Sequence, residues 1–234
     1  FGSYFLFAIV LAFFAAALLG VIVEWGLIRF LYHRPLDTLL ATWGLSLILQ
    51  QAYRSIFGAR EVGVVIPDWL MGSYQITDMI EVPINGLFVM SLAVLATVTV
   101  AVLMYRSRWG KQVRAVVQNR PMAGAVGINT ARVDRLTFAL GCGIAGVAGS
   151  AFTMIGSTGP SSGQLYIVDT FLVVVFGGAA SLLGTVASAF SISQSQSILE
   201  FFMGGSMAKV LTLLVVVIIL MFRPQGLFSL KVRR

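Results

Sequence analysis

Apolar residues run along this chain in blocks of about twenty, the length of a membrane crossing, and short polar segments with prolines and charges separate them. Tyr4 to Ile28 is the first block, ~37 Å long as a helix and so expected to tilt. Glu24 and Trp25 close it, where a headgroup-level charge and an aromatic belt are tolerated. Arg29, His33 and Arg34 follow, His33 reading as a solvated interfacial side chain, and Pro35 is expected to break the helix. Thr38 to Phe57 is a second, more polar block with Gly44, Ser46, Gln50, Gln51 and Arg54. Gln50 and Arg54 are four apart and share a helix face. Such groups avoid lipid, either bonding a neighbouring helix or lining a water-filled path.

The pattern lapses over Gly58 to Pro83, which carries Arg60 against Glu61, Asp68, Asp78 and Glu81, with Pro67 and Pro83 as breakers, and so reads as an external loop. Trp69, Leu70, Met71 and Tyr74 suggest a turn resting at the bilayer interface, where an external partner could also touch it. Ile84 to Tyr105 is a third crossing. Leu136 to Ile155 is a fourth, with Gly141, Ala145 and Gly149 at four-residue spacing beside Gly143 and Gly146, a pattern that lets helix backbones approach closely. After the turn Gly156 to Gln164, expected outside, Ile167 to Phe176 is only about ten residues long, too short to span. Gly177-Gly178-Ala179-Ala180-Ser181 ends it, and a small-residue run from Gly184 to Phe202 follows. Met207 to Phe222 is the last crossing.

Composition fixes the solvent. The chain has 234 residues, 58% hydrophobic and 11% charged, with a mean hydropathy of +0.93. A soluble domain carries about 25% charge, so lipid surrounds this one, and six or seven segments fit its length. The fold expected is all-α: a polytopic transmembrane bundle with one broken or re-entrant helix pair. We read it as a single transmembrane domain over 1–234. It starts at Phe1 inside an apolar run with no charged region before it, and so is taken as a piece of a longer chain whose earlier helices are missing. The net charge of +7 does not imply nucleic acid, because the basic residues flank apolar runs and form no soluble face. Excess Lys and Arg instead mark the cytoplasmic side. Residues 106–135 hold seven basic residues against Asp134, and Lys231, Arg233 and Arg234 end the chain, so both are expected inside. That parity requires three passes after Gln164, which splits 166–202 into two helices turning at Gly177 to Gly184. Non-helical backbone at that depth survives only in protein or against water, so 176–188 is expected beside a translocation path.

Catalytic chemistry is missing from the pattern. Gly110-Lys111 lacks the rest of a Walker A loop. The single His and single Cys142 allow neither a zinc cluster nor a Ser-His-Asp set. No metal site, no enzyme and no cofactor are expected, and any energy must come from another subunit.

Residues 107–135 are the segment that needs a partner. Lys111 to Asn119 reads as a short basic helix, small residues at 123, 124 and 127 could seat in a groove, and Asn129 or Thr130 could cap the next helix. Arg114 and Arg120 could meet acids at the groove's rim; anchoring to anionic lipid is the plain alternative.

Gly110-Lys111-Gln112-Val113-Arg114-Ala115, with Asn119, Ala123, Gly127, Ile128 and Asn129, resembles the coupling loop of the branched-chain amino acid type ABC importer permeases. FGGAASLLGTVASA at 176–189 is similar to that family's glycine-rich broken helix, and RPQGLF at 223–228 to its ending. Residues 34–59 resemble its urea permease branch. Arg120-Pro121 and Gly124 depart from the family's usual acidic residue and Ala. The resemblance implies a second permease subunit (a paralogue or the same chain), two cytoplasmic ATPase subunits that bind the ATP, and an external solute-binding protein. It also implies a bacterial inner membrane with the C-terminus inside. Under it, Gly110, Lys111, Arg114, Asn119, Ala123, Gly124, Gly127, Ile128 and Asn129 form the ATPase-coupling loop, with helix 113–127 docking. Thr42, Ser46, Gln50, Gly177, Gly178, Ser181, Gly184, Thr185 and Ser188 are path candidates. All are uncharged, which suits urea as solute, with an amino acid the alternative. A passive channel and a membrane scaffold are the rival functions.

Overall fold

A computed structural model describes residues 3–31, 35–64, 67, 70–77, 80–178 and 181–222. His33, Ala179, Ala180 and the basic tail from Arg223 lie outside them. Contacts cluster into two units, 1–160 and 161–234, each described by itself.

The first unit opens with α1 (Ser3–Val23), which runs through a five-residue π turn (Glu24–Ile28) into the short α2 (Arg29–Leu31). Then α3 (Pro35–Phe57) begins at Pro35 itself. Pro35 therefore starts a helix instead of only stopping one, because its missing N–H falls among the first-turn donors that have no partner anyway. The segment expected to be irregular holds an antiparallel hairpin, β1 (Ser73–Thr77) and β2 (Ile80–Pro83), with Tyr74 opposite Val82. From it rises α4 (Ile84–Arg106), followed by the short α5 (Arg108–Gln118) and α6 (Arg120–Ala125), and then α7 (Thr130–Phe152).

Glycines decide how α1 and α7 pack. A Cβ on Gly146 would stand 2.6 Å from the Ala12 carbonyl oxygen, and one on Gly143 2.6 Å from the Phe13 ring. Gly20 in turn receives Cys142, whose Cβ is 2.8 Å from where its own would be. Nothing lies within 4 Å of Gly141 or Gly149. The close approach expected of the row 141–145–149 is thus made by its neighbours 143 and 146. At one end of the unit, Phe5, Ile9, Leu70 and Met154 form a core with Phe88 and Leu92 around it. There Val62 bridges Thr158, and the Gln75 and Ser73 side chains bond the Glu81 carboxylate. The other end carries α5 and α6.

Among its described residues the second unit has three helices: α8 (Ser162–Gly177), α9 (Leu182–Met203) and α10 (Gly205–Phe222). α8 has 16 residues, about 24 Å at 1.5 Å per residue, short of the ~30 Å hydrocarbon core. It ends at Gly178, where φ is +89°, a conformation only glycine enters freely. The helix is therefore broken where the charge parity required it. Among the described residues, four helical stretches have both the length and the hydropathy of a span: Phe5–Leu31, Ile84–Arg106, Thr130–Phe152 and Gly205–Phe222. α3 and α9 reach 23 and 22 residues, long enough to cross but more polar. This is the polytopic all-α membrane fold, with the β1–β2 hairpin as a small departure among the described residues.

Candidate functional site

The connector from α4 to α7 is built as a rigid bracket. Ser107 leaves the helical conformation (φ −83°, ψ 156°) and caps α5, its Oγ accepting from the Gly110 N–H at 2.9 Å. That tight turn presses Gly110 onto the end of α4, where a Cβ would fall on the Met104 carbonyl and 2.6 Å from the Leu103 carbonyl oxygen. Asn119 (φ −154°) ends α5 and caps α6, its Oδ1 accepting from the Met122 N–H at 3.0 Å. The connector is thus two helices, not the single helix expected over 113–127. The signal was present: inside a helix the Pro121 ring would clash with the carbonyl four residues back, whereas in the first turn of α6 it costs little.

α6 closes with a Schellman turn. The Ile128 N–H donates to Ala123 O and the Gly127 N–H to Gly124 O, both at 3.0 Å, with Gly127 at φ +87°. Asn129 then caps α7 through Oδ1, accepting from the Arg132 N–H at 3.0 Å, as its residue type suggested. Underneath, Val116, Ala123 and Val133 form a small core with Val113 and Ile128 against it.

Charges clamp this bracket to the helices. Arg120 pairs with Asp134 of α7 at 2.6 Å, and next to Asp134 in sequence, Arg135 reaches Glu24 in the π turn of α1 at 3.0 Å. Glu24 is only 1% exposed, and its Oε1 has no hydrogen-bond partner. Arg114 donates to the Met104 carbonyl and lies over the Tyr105 ring. Arg114 and Arg120 are therefore engaged within the chain, and Arg108 and Lys111 remain exposed.

The nine residues expected to couple to an ATPase divide accordingly. Gly110, Asn119, Ala123, Gly127, Ile128 and Asn129 shape the bracket, Arg114 braces it, and Lys111 and Gly124 stand outside. Nothing lies within 4 Å of a Cβ on Gly124. The outer surface also carries Val117, Met122 and Val126, at 82%, 61% and 74% exposure. Sequence reasoning passed over all three. The signal was apolar residues in the most charged stretch of the chain, at positions the Pro121 break turns outward.

The path candidates fall in two places. On α3, Gln50 Nε2 donates to Ser46 Oγ at 3.1 Å, and Thr42 Oγ1 donates to the Thr38 carbonyl at 2.9 Å. All three side chains are half-buried. In the second unit, Gly177 packs on the Gly184 backbone, and Ser188, 1% exposed, donates to Val173 O of α8 at 2.7 Å. Ser181 caps α9 by accepting from the Gly184 N–H at 3.1 Å, and Thr185 donates to Ser181 O at 3.0 Å. These hydroxyls tie α8 to α9 or close α9's own first turn. Gly177, Ser181, Gly184, Thr185 and Ser188 belong to a packed seam, which leaves the polar stripe of α3 as the freer set.

Among the described residues, no group of three or more His, Cys, Asp or Glu could hold a metal. Residues 1–220 match the family described as branched-chain amino acid transport system / permease component, and the chain belongs to it. It is similar, at 25% identity over 92% of its length and 74% of the relative's, to the high-affinity branched-chain amino acid transport system permease protein LivH of Salmonella typhimurium. The LivH of Escherichia coli (strain K12) is 26% identical over the same shares, and BraD of Pseudomonas aeruginosa 26% identical over 94% and 74%. No solved structure matches significantly. The chain is thus a multi-pass membrane permease component and not an enzyme.

Proposed function

We propose that this chain is the permease subunit of an ATP-driven importer for a branched-chain or similar small amino acid. The observation that carries it is the pairing of family membership over 1–220 with the exposed apolar surface of Val117, Met122 and Val126 on a braced connector. Exposed apolar residues on a connector that also exposes Arg108 and Lys111 are what a soluble partner's groove would seat. The basic connector is cytoplasmic under the positive-inside rule, and the acidic 58–83 segment faces the solute-binding protein. Two ATPase subunits bind and hydrolyse the ATP. A second permease, paralogue or copy, completes the core in a bacterial inner membrane. When the ATPases close, α5 and α6 move as one piece. Arg120–Asp134 and Arg135–Glu24 pass the displacement to α7 and α1.

Urea is the second reading, favoured by the likeness of 34–59 to urea permeases and by the uncharged Thr42, Ser46 and Gln50 on α3. Reconstituting the permease, ATPases and binding protein in vesicles, and measuring ATP-dependent uptake of leucine, isoleucine, valine and urea, decides between them. Saturable uptake of aliphatic amino acids supports the first reading; uptake of urea alone overturns it. Uptake without ATP or ATPase subunits would establish the passive channel instead.

A further inference from the structure

No residue of α4 is buried. Between α4, α1 and α7 runs an open groove of about 380 Å³, whose walls include Leu92, Thr99 and Leu103 of α4 and Leu140 and Ile144 of α7. Every lining residue but Thr99 is apolar. The Thr99 Oγ1 donates to the Leu95 carbonyl of its own helix at 2.7 Å. The groove therefore offers an occupant van der Waals contact and no hydrogen bond.

The shape of the walls says what fits there. Helices that associate in lipid meet through small residues that let backbones approach, as Gly143 and Gly146 of α7 do on α1. Here the walls are branched and aromatic side chains, with Ala96 and Thr99 the small ones. Such a surface suits a flexible hydrocarbon chain better than another helix. Along α4 the groove extends from Leu92 to Leu103, about 16 Å at 1.5 Å per residue. That is about half of the ~30 Å hydrocarbon core, the depth of one leaflet.

Charge gives the other half of the ligand. The lining positions of α4 are 92, 95, 96, 99, 100 and 103, so the same helix face next presents Arg106. On α7 the face of 147, 144 and 140 continues through Leu136, 45% exposed, to Arg132. Both arginines are exposed. Among the described residues neither side chain has a hydrogen bond or an ion pair, whereas Arg114, Arg120 and Arg135 are all engaged within the chain. Both walls thus lead, at the connector's end of the bundle, to a free guanidinium, a group whose fork of donors matches phosphate.

We infer that this groove binds one acyl chain of an anionic phospholipid, with Arg106 and Arg132 holding the headgroup phosphate. The site is distinct from Val117, Met122 and Val126 and does not depend on which solute is carried. The lipid fills the space beside α4 and so supports the helix that carries α5.

The test uses the full-length chain in its assembled complex, purified in detergent. Phosphatidylglycerol or phosphatidylcholine is added, each with the same acyl chains and a photoactivatable group midway along one of them. The expected result is that phosphatidylglycerol labels the groove face of 92–103 at least about tenfold more than phosphatidylcholine does. Arg106→Gln with Arg132→Gln brings the two lipids level, and Ala96→Phe, which fills the groove, lowers labelling by both. Equal labelling by the two lipids in the wild-type complex overturns the inference, as does label spread evenly around α4. It is overturned too if the groove takes no label and Thr99→Cys, in a Cys142→Ala background, crosslinks to another protein segment, because a helix then occupies the groove. The wild-type labelling decides the matter even where a variant fails to fold.

Discussion

A Cβ at Gly110 would land on backbone carbonyls of α4 that no rotamer change can move aside. Gly110→Ala should therefore destabilise the protein by about 1–3 kcal/mol, as overpacking does, measured as a lower unfolding temperature in detergent. Glu24 makes the complementary case for charge. Arg135→Ala leaves a carboxylate that is 1% exposed without its cation. Breaking a buried pair costs about 3–5 kcal/mol, and the low end applies because Arg135 is one-third exposed. Adding Glu24→Gln to Arg135→Ala should recover most of that loss in the same unfolding assay. Little of this was legible beforehand. Asn129 could be read as a cap because its own side chain closes the helix it precedes. Gly110 and Glu24 could not be read, because their partners, the end of α4 and Arg135, are set by how helices fold back on one another.

At the scale of elements, the connector is two short helices whose outward apolar residues are not its structural ones. Val126→Asp should leave folding intact, since Val126 is 74% exposed, yet abolish ATP-dependent uptake and weaken co-purification with the ATPases. Gly124→Trp should act the same way by bulk, having open space around it. Gly127→Trp would be ambiguous, because a residue at φ +87° is strained by any side chain and could fail to fold. Element positions were legible wherever hydropathy was periodic: α4, α7 and α10 lie close to where their apolar blocks placed them. The hairpin at 73–83 was not, because its side chains neither alternate cleanly nor form an apolar run. The partner-facing row on α7 was misplaced for a geometric reason. Small residues occupy 141, 143, 145, 146 and 149, so several faces of that helix look alike until α1 is seen to use two of them.

For the whole molecule, hydropathy finds four spans among the described residues, and α8 and α9 part where a short apolar run and charge parity together predicted a turn. The central claim is that the connector is gripped from the cytoplasm by an ATP-driven partner. Cysteine crosslinking tests it most directly, with Val126→Cys in a Cys142→Ala background within the assembled complex. The account predicts that Val126→Cys is labelled from the cytoplasmic face, and that it crosslinks to an ATPase subunit with a yield that changes when ATP binds. Labelling from the outer face, or crosslinks to lipid alone in a complex that still transports, would contradict it.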